Sequence, residues 1–208
     1  MKKKILITAF EPFAGRRRNA SLDVMALLRA ASFKNCRLFK AKLPVSGKAV
    51  GGKIRGLLSK LKPDFAVSLG LAAGEAAVRI ERFALNVQDY ALKDNAGYKP
   101  KGRLICAGGP AAYLVNSRPV RLAAAVKKAG VPARVSNHAG TYVCNHLMYE
   151  AMSAIAEGGL KTKFAFIHLP LSAEMAALEK PAQAVPPSLP LRELAKAVEA
   201  AIRALTQK

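Results

Sequence analysis

Acidic charge is what this 208-residue chain has least of: 13 Asp and Glu stand against 34 Lys and Arg, a formal net charge of +21. Such a field attracts nucleic acid, anionic lipid or acidic substrates. The basic residues are scattered, however, and form local runs only at Lys2-Lys3-Lys4 and Arg16-Arg17-Arg18. Aromatic residues make up 6% of the chain and do not interleave with the basic ones in the pattern that stacks on bases. Specific nucleic-acid binding is therefore not expected. No run of 18 apolar residues exists, so no membrane span is expected either. The basic start leads into a short apolar stretch that Glu11 ends, which reads as a first strand rather than a secretion signal. Cysteine is scarce too. Cys36, Cys106 and Cys144 are odd in number and far apart, with no CxxC pair and no metal-ligand cluster around them. Neither a disulfide framework nor a metal is expected, and a reducing cytoplasm suits the pattern.

What is present is a 51% hydrophobic content, enough for one domain over 1–208 with a sizeable core. Strand-like and helix-like patterns alternate. Strands are expected at 4–9, 37–43, 65–69, 78–87, 133–136 and 164–169, and helices at 21–31, 47–61, 119–129, from Cys144 to Gly158, and 191–205. The segment 88–110, with several Gly and Pro, reads as a loop-rich excursion. This alternation predicts an α/β fold with a mostly parallel sheet covered on both faces. Ligands in such folds bind beyond the carboxyl ends of the strands. The loop 10–19, the segment 70–74, the loop before Cys144, and His168 all fall at such ends.

Cys144 carries the strongest chemical signal. A β-branched stretch and a glycine-containing loop deliver it to the start of a helix whose Leu147, Met148, Ala151, Met152, Ile155 and Ala156 share one face. Unpaired N–H groups and the positive end of the helix dipole favour thiolate there. The same N–H groups suit the oxyanion that forms when a thiolate attacks a carbonyl. The plain alternative is a buried cysteine acting as a small hydrophobe.

A cysteine hydrolase needs a base and a group to orient it. Only three histidines exist. His146 is two residues from Cys144, and helical neighbours two apart do not face each other. His138 sits in the loop before the cysteine, where a solvated surface role competes with approach to the thiol. His168 ends the apolar strand Phe164-Ala165-Phe166-Ile167, which suits a site residue and equally suits a histidine bonded to backbone. Glu81, inside a strand, is an orienting acid, a solvent-facing charge or the partner of a neighbouring Arg.

Together these motifs resemble the pyroglutamyl peptidase I, or pyrrolidone-carboxylate peptidase, family of cysteine peptidases. Ile7-Thr8-Ala9-Phe10-Glu11-Pro12-Phe13-Ala14-Gly15 is similar to the family's TGFEPFGG, and Asn19-Ala20-Ser21 to its NPS. The segment from Ile80 to Val87 is similar to its ERxAxN strand, the segment from Ser136 to His146 to its SNTAGTFVCNH, and Phe166-Ile167-His168-Leu169-Pro170 to its FIHVP. The resemblance spans nearly the whole chain. It implies a single-domain α/β/α sandwich with a mixed, mostly parallel sheet of the phosphorylase/hydrolase-like kind. It implies a Cys144–His168–Glu81 triad that removes an N-terminal pyroglutamyl residue from peptides through a thioester. It further implies a cytoplasmic homotetramer that needs no cofactor and no metal.

A pyroglutamyl group is an uncharged five-membered lactam, which an apolar pocket with few polar contacts suits. Phe10, Phe13 and Tyr142 are expected to enclose it, beside Leu71 and Val143, with Asn19 either touching a lactam polar atom or capping the helix that begins near Ser21. Two positions depart from the family: Ala91 stands where an Arg near the oxyanion is common, and Leu71 where Gln is common. With Tyr142 in place of Phe, these motivate two alternatives: a related hydrolase with a different amide substrate, and a catalytically weak member binding anionic partners. Arg16-Arg17-Arg18 reads as a solvated turn that, if it borders the pocket, favours acidic residues after the pyroglutamyl group.

Overall fold

Alternation along the central strands decides the architecture. In the computed structural model, which describes residues 2–179 and 186–207, strand β1 (Lys3–Phe10) sends Ile5, Ile7 and Ala9 to one face and Leu6 and Phe10 to the other. Residues 1, 180–185 and 208, included in the expected 1–208 domain, lie outside the described residues. Next come helix α1 (Ala20–Leu27), β2 (Cys36–Leu43), α2 (Gly47–Leu61), β3 (Phe65–Leu71) and β4 (Val78–Leu85). They are followed by β5 (Ala112–Leu114), α3 (Pro119–Lys128), β6 (Ala133–His138), α4 (Val143–Glu157) and β7 (Lys163–Leu169). The chain closes with β8 (Leu171–Ser172), the short α5 (Ala173–Ala176), β9 (Ser188–Leu189) and α6 (Leu191–Thr206).

The main sheet has the order β2-β1-β3-β7-β4-β5, and β6 also pairs with β4. Strands β2, β1, β3 and β7 are parallel, whereas β4 runs antiparallel to β7 and parallel to β6. One core lies between the sheet and α1, α3 and α6 and includes Ile5, Val67, Ile167, Leu122 and Val198. The other lies between the sheet and α2 and α4 and includes Leu6, Phe166, Ile54, Leu147 and Met148. Complete burial of one such side chain contributes about 1.5–3 kcal/mol. The fold is the expected mixed, mostly parallel α/β/α sandwich.

Strands β3 and β6 run two residues beyond expectation, to Leu71 and His138, the short β5, α5, β8 and β9 were not expected, and α1 and β4 end early. Helix α1 stops at Leu27 instead of running to residue 31, because Leu28 turns extended and buries its side chain, leaving a separate 3-10 turn over Ala30–Ser32. Strand β4 stops at Leu85 instead of 87, because Asn86 turns to the 88–110 excursion. Its backbone N–H donates to Ala111 O at 2.8 Å, and its carboxamide oxygen accepts from the N–H groups of Ile105 and Cys106, each at 2.9 Å.

Candidate active site

Strand register assembles the site. His168 on β7 is the cross-strand partner of Gly70 on β3 and of Arg79 on β4. It shares the α2/α4 side of the sheet with Phe166 and Phe164, since residues two apart on a strand point the same way. Glu81, two residues beyond Arg79, therefore faces that side as well. Its carboxylate Oε1 lies 2.8 Å from His168 Nδ1. Glu81 is completely buried and His168 is 5% exposed, so the pair is shielded from water. Burial works to raise the Glu81 carboxyl, but the hydrogen bond and charge of His168, with Ser136 and Arg79, outweigh it and hold the group below its ordinary range. This settles the orientation of Glu81: it is buried and paired with both His168 and Arg79, at 3.0 Å from the guanidinium.

Cys144 is the second residue of α4 and is half-buried. The helix forms as the apolar spacing predicts, with Leu147, Met148 and Ala151 packed into the core. Among the described residues no side chain caps its first turn, which leaves backbone N–H groups there open. The electrostatics differ from the sequence expectation of a thiolate. Burial, then the Glu81 charge, push the Cys144 thiol up to about 12, while Arg79 pulls it down. Both effects that push the thiol up disfavour the charged form, so the resting group is a neutral thiol.

Cys144 and His168 line one cavity of about 450 Å³. Phe10, Phe13, Asn19, Leu71, Tyr142 and Val143 line it too, so every expected pocket residue faces the same space. Tyr142 packs against Tyr90 with ring centroids 4.7 Å apart and against Phe13 at 6.2 Å. Its hydroxyl donates to Lys93 O at 3.3 Å. Asn19 caps α1: its side-chain oxygen accepts from Ser21 N at 3.0 Å, and its amide donates to Glu11 O at 3.0 Å. Ala91, where the resemblance leads to Arg, also lines the cavity.

The other histidines stand elsewhere. His146 is buried, with Nδ1 3.4 Å from the Tyr90 hydroxyl and Nε2 3.7 Å from Glu150. His138 is exposed and accepts from Gly140 N at 3.1 Å. The arginine run is mostly neutralised, since Arg16 pairs with Glu179 at 2.7 Å and Arg18 with Asp23 at 3.0 Å. Only Arg16 of the three lines this cavity.

Sequence reasoning left out several residues that position the site. Asn145, fully buried, accepts from Leu85 N at 2.8 Å and donates to Leu85 O at 2.9 Å and Val87 O at 3.0 Å. It thereby ties the head of α4 to the end of β4. Asp94 accepts from Gly47 N at 2.8 Å and from Ala96 N and Tyr98 N at 2.9 Å each, fixing the excursion to the start of α2. A Cβ on Gly70 would lie 2.9 Å from both His168 Cδ2 and Phe166 Cζ, so glycine makes room for the imidazole. The period of two from Glu81 was the available signal for Arg79. Asn145 stood inside the Ser136–His146 motif, but its partners Leu85 and Val87, like the Gly47 partner of Asp94, are distant in sequence.

A family model described as pyroglutamyl peptidase matches residues 3–208. The chain is 38% identical over 200 residues to the pyrrolidone-carboxylate peptidase of Thermococcus kodakarensis, covering 96% of this chain and 94% of that protein. It is 35% identical over 205 residues to that of a Thermoanaerobacter species, covering 99% and 98%. Among solved structures, pyroglutamyl peptidase I of Bacillus amyloliquefaciens superposes with a TM-score of 0.90 at 34% identity, covering 99% of this chain and 98% of that one. A mutant pyrrolidone carboxyl peptidase of Pyrococcus furiosus gives 0.92 at 32% identity, covering 97% of each chain. With its motifs, fold and family match all coinciding over nearly its full length, the chain belongs to the pyroglutamyl peptidase family.

Proposed function

We propose that this protein is a cysteine exopeptidase that removes an N-terminal pyroglutamyl residue from peptides, with Cys144 as nucleophile, His168 as base and Glu81 as the carboxylate that orients it. One observation carries the reading: Cys144 and His168 line a common cavity while Glu81 stands 2.8 Å behind the histidine. With Nδ1 held by Glu81, Nε2 is the nitrogen left for the thiol proton. Because the thiol is neutral at rest, proton transfer to His168 accompanies attack of Sγ on the carbonyl that joins pyroglutamate to the next residue. The tetrahedral oxyanion draws on the open N–H groups at the head of α4. The imidazolium then protonates the leaving amine, and the C–N bond breaks to leave a thioester. A water molecule, deprotonated by His168, attacks the thioester, releasing pyroglutamate and the thiol.

The pocket favours this substrate class. Phe10, Phe13, Leu71, Tyr142 and Val143 offer apolar walls to an uncharged lactam. The one carboxylate among the described residues lining it, Asp89, is paired with Lys101 at 3.3 Å, so a free N-terminal ammonium in the same space would lose its hydration without an unengaged carboxylate. The family match does not favour the alternatives of a different amide substrate or an anion-binding remnant. The family resemblance further supports a homotetramer in the cytoplasm. Three free cysteines agree with a reducing compartment, and among the described residues no helix is long and apolar enough to cross a membrane. Sedimentation should give four times the 22.1 kDa protomer mass, and a monomer at micromolar concentration would remove the tetramer.

The decisive assay measures amine release from pyroglutamyl amides. The parent should turn over, Cys144→Ala should be silent, and the matched glutamyl and glutaminyl amides should be poor substrates. Turnover retained by Cys144→Ala would overturn the assignment.

A further inference from the structure

Arg79 is the one strongly basic group that reaches both the buried carboxylate and the nucleophile's cavity among the described residues lining it. It stands opposite His168 on the neighbouring strand and two residues before Glu81, on the same side of the sheet. Its Nη2 lies 3.0 Å from Glu81 Oε1, the oxygen that meets His168, and donates to Ser136 Oγ at 2.9 Å and His138 O at 3.0 Å. Its Nη1 donates to Glu75 at 3.0 Å, and Glu75 is in turn held by Arg134 at 2.9 Å. The result is a chain of alternating sign, Arg134–Glu75–Arg79–Glu81–His168, running from the surface to the imidazole. Arg16, the other arginine lining the cavity, is engaged by Glu179.

We infer that Arg79 is a positioning residue for the thiol chemistry: its guanidinium fixes the Glu81 carboxylate toward His168 and offsets that carboxylate's charge when the Cys144 thiolate forms. The inference rests on the proposed triad. Its physical basis is a charge count. Glu81 is fully buried, so its charge is poorly screened and works against a second anion at Cys144. Once the thiol proton sits on His168, two anions, Glu81 and the thiolate, balance two cations, His168 and Arg79. Without Arg79 the same site holds two anions against one. The carboxylate would also lose its 3.0 Å contact with Nη2 at Oε1, the oxygen that meets Nδ1. The influence of Arg79 on the Cys144 thiol has the same sign, downward. The remaining titratable groups near Cys144 are Tyr90, Tyr142 and Asp89, and Arg16 at the cavity wall. Burial raises both tyrosines, so they stay neutral over the range tested below.

The test measures the pH dependence of kcat/KM and, separately, the rate at which iodoacetamide labels Cys144, read by mass spectrometry. In Arg79→Met the acid limb should move up by about one pH unit and labelling at pH 7 should slow about tenfold, reaching the parent's pH 7 rate about one pH unit higher. KM should change less than kcat. Arg79→Lys retains the cation and should recover most of the limb position. Arg79→Gln keeps amide donors without charge, should follow Arg79→Met, and substitutes for it if the methionine variant melts early. Limbs that coincide with the parent's in the Met or Gln variant, or a Lys variant as impaired as they are, would overturn the inference. Activity retained by Cys144→Ala would instead bring down the triad itself, and the labelling rate distinguishes the two failures because it needs no turnover.

Discussion

At the scale of single residues, the site depends on how little room and how little freedom its groups have. Gly70 lies against the His168 ring, and the ring is fixed by Glu81. In Gly70→Ala the added methyl displaces the imidazole rather than the backbone, so kcat should fall about ten- to a hundredfold while the protein stays folded. Steady-state kinetics beside a thermal melt check this, and an unchanged kcat would contradict it. Asn145, at the head of α4, makes three hydrogen bonds to the part-buried backbone of Leu85 and Val87 at the end of β4. Asn145→Ala leaves those groups unpaired and should cost about 2–3 kcal/mol in chemical denaturation, with a loss of kcat because Cys144 is the adjacent residue. The neutral resting thiol has a consequence for labelling. With the thiol pushed up to about 12, alkylation of Cys144 should keep rising with pH beyond 8.5 instead of levelling off as an ordinary thiol does. Following modification by mass spectrometry from pH 6 to 10 reads this directly.

At the scale of elements, two clamps hold the helix that carries Cys144. On one side Arg55 of α2 pairs with Glu150 and, at 2.8 Å, with Glu157, both on α4, and donates to Ser153 Oγ at 2.8 Å. Gly51 lets the helices approach, since a Cβ there would lie 2.9 Å from Glu150 Cγ. Arg55→Ala leaves Glu150 half-buried beside His146 without its guanidinium partner. It should lower stability by about 1–2 kcal/mol, the solvent exposure of the pairs keeping the figure modest. A denaturant titration measures it, with Arg55→Lys recovering part. On the other side the 88–110 excursion is held by Asn86 and Asp94 and supplies Tyr90, which packs on Tyr142. The sequence marked this segment as irregular from its glycines and prolines. Only the family resemblance brought it to the cavity, through Ala91, because the bonds that shape it reach back to Asn86 and Gly47.

At the scale of the whole molecule, the excess of positive charge is unevenly answered. The few carboxylates are concentrated where they matter: Glu81 under His168, Glu75 between Arg79 and Arg134, and Glu150 between His146 and Arg55. All three are held below the ordinary carboxyl range. For Glu150 the hydrogen bond from His146 leads, whereas for Glu75 and Glu81 burial opposes and the cationic partners prevail. A depressed folded value means that these groups stabilise the fold above their unfolded pKa of about 4.3 and lose that contribution as pH falls through the folded one. The melting temperature should therefore be level from pH 7 to about 5 and drop below about pH 4, where +21 also becomes harder to hold together. A flat Tm down to pH 3 would contradict this.

The sequence by itself determined the alternation of strands and helices, the two-sided core and the helix behind Cys144, whereas the partners of that cysteine stayed open until the family resemblance implied His168 and Glu81. Those features are written in local periodicity and in motifs whose residues are close together. Leu147, Met148 and Ala151 repeat at helical spacing, and Ile5, Ile7 and Ala9 alternate, because burial of one face is a property of consecutive residues. Only the tertiary structure decided what those motifs become in space. The antiparallel passage of β4 beside β7 sets Arg79 opposite His168 and Glu81 against its ring, across 87 residues of chain in the latter pair. The surroundings of the Cys144 thiol were decided there too: a helix terminus read from sequence favours thiolate, but desolvation and a buried carboxylate, which no local pattern reports, push the thiol up.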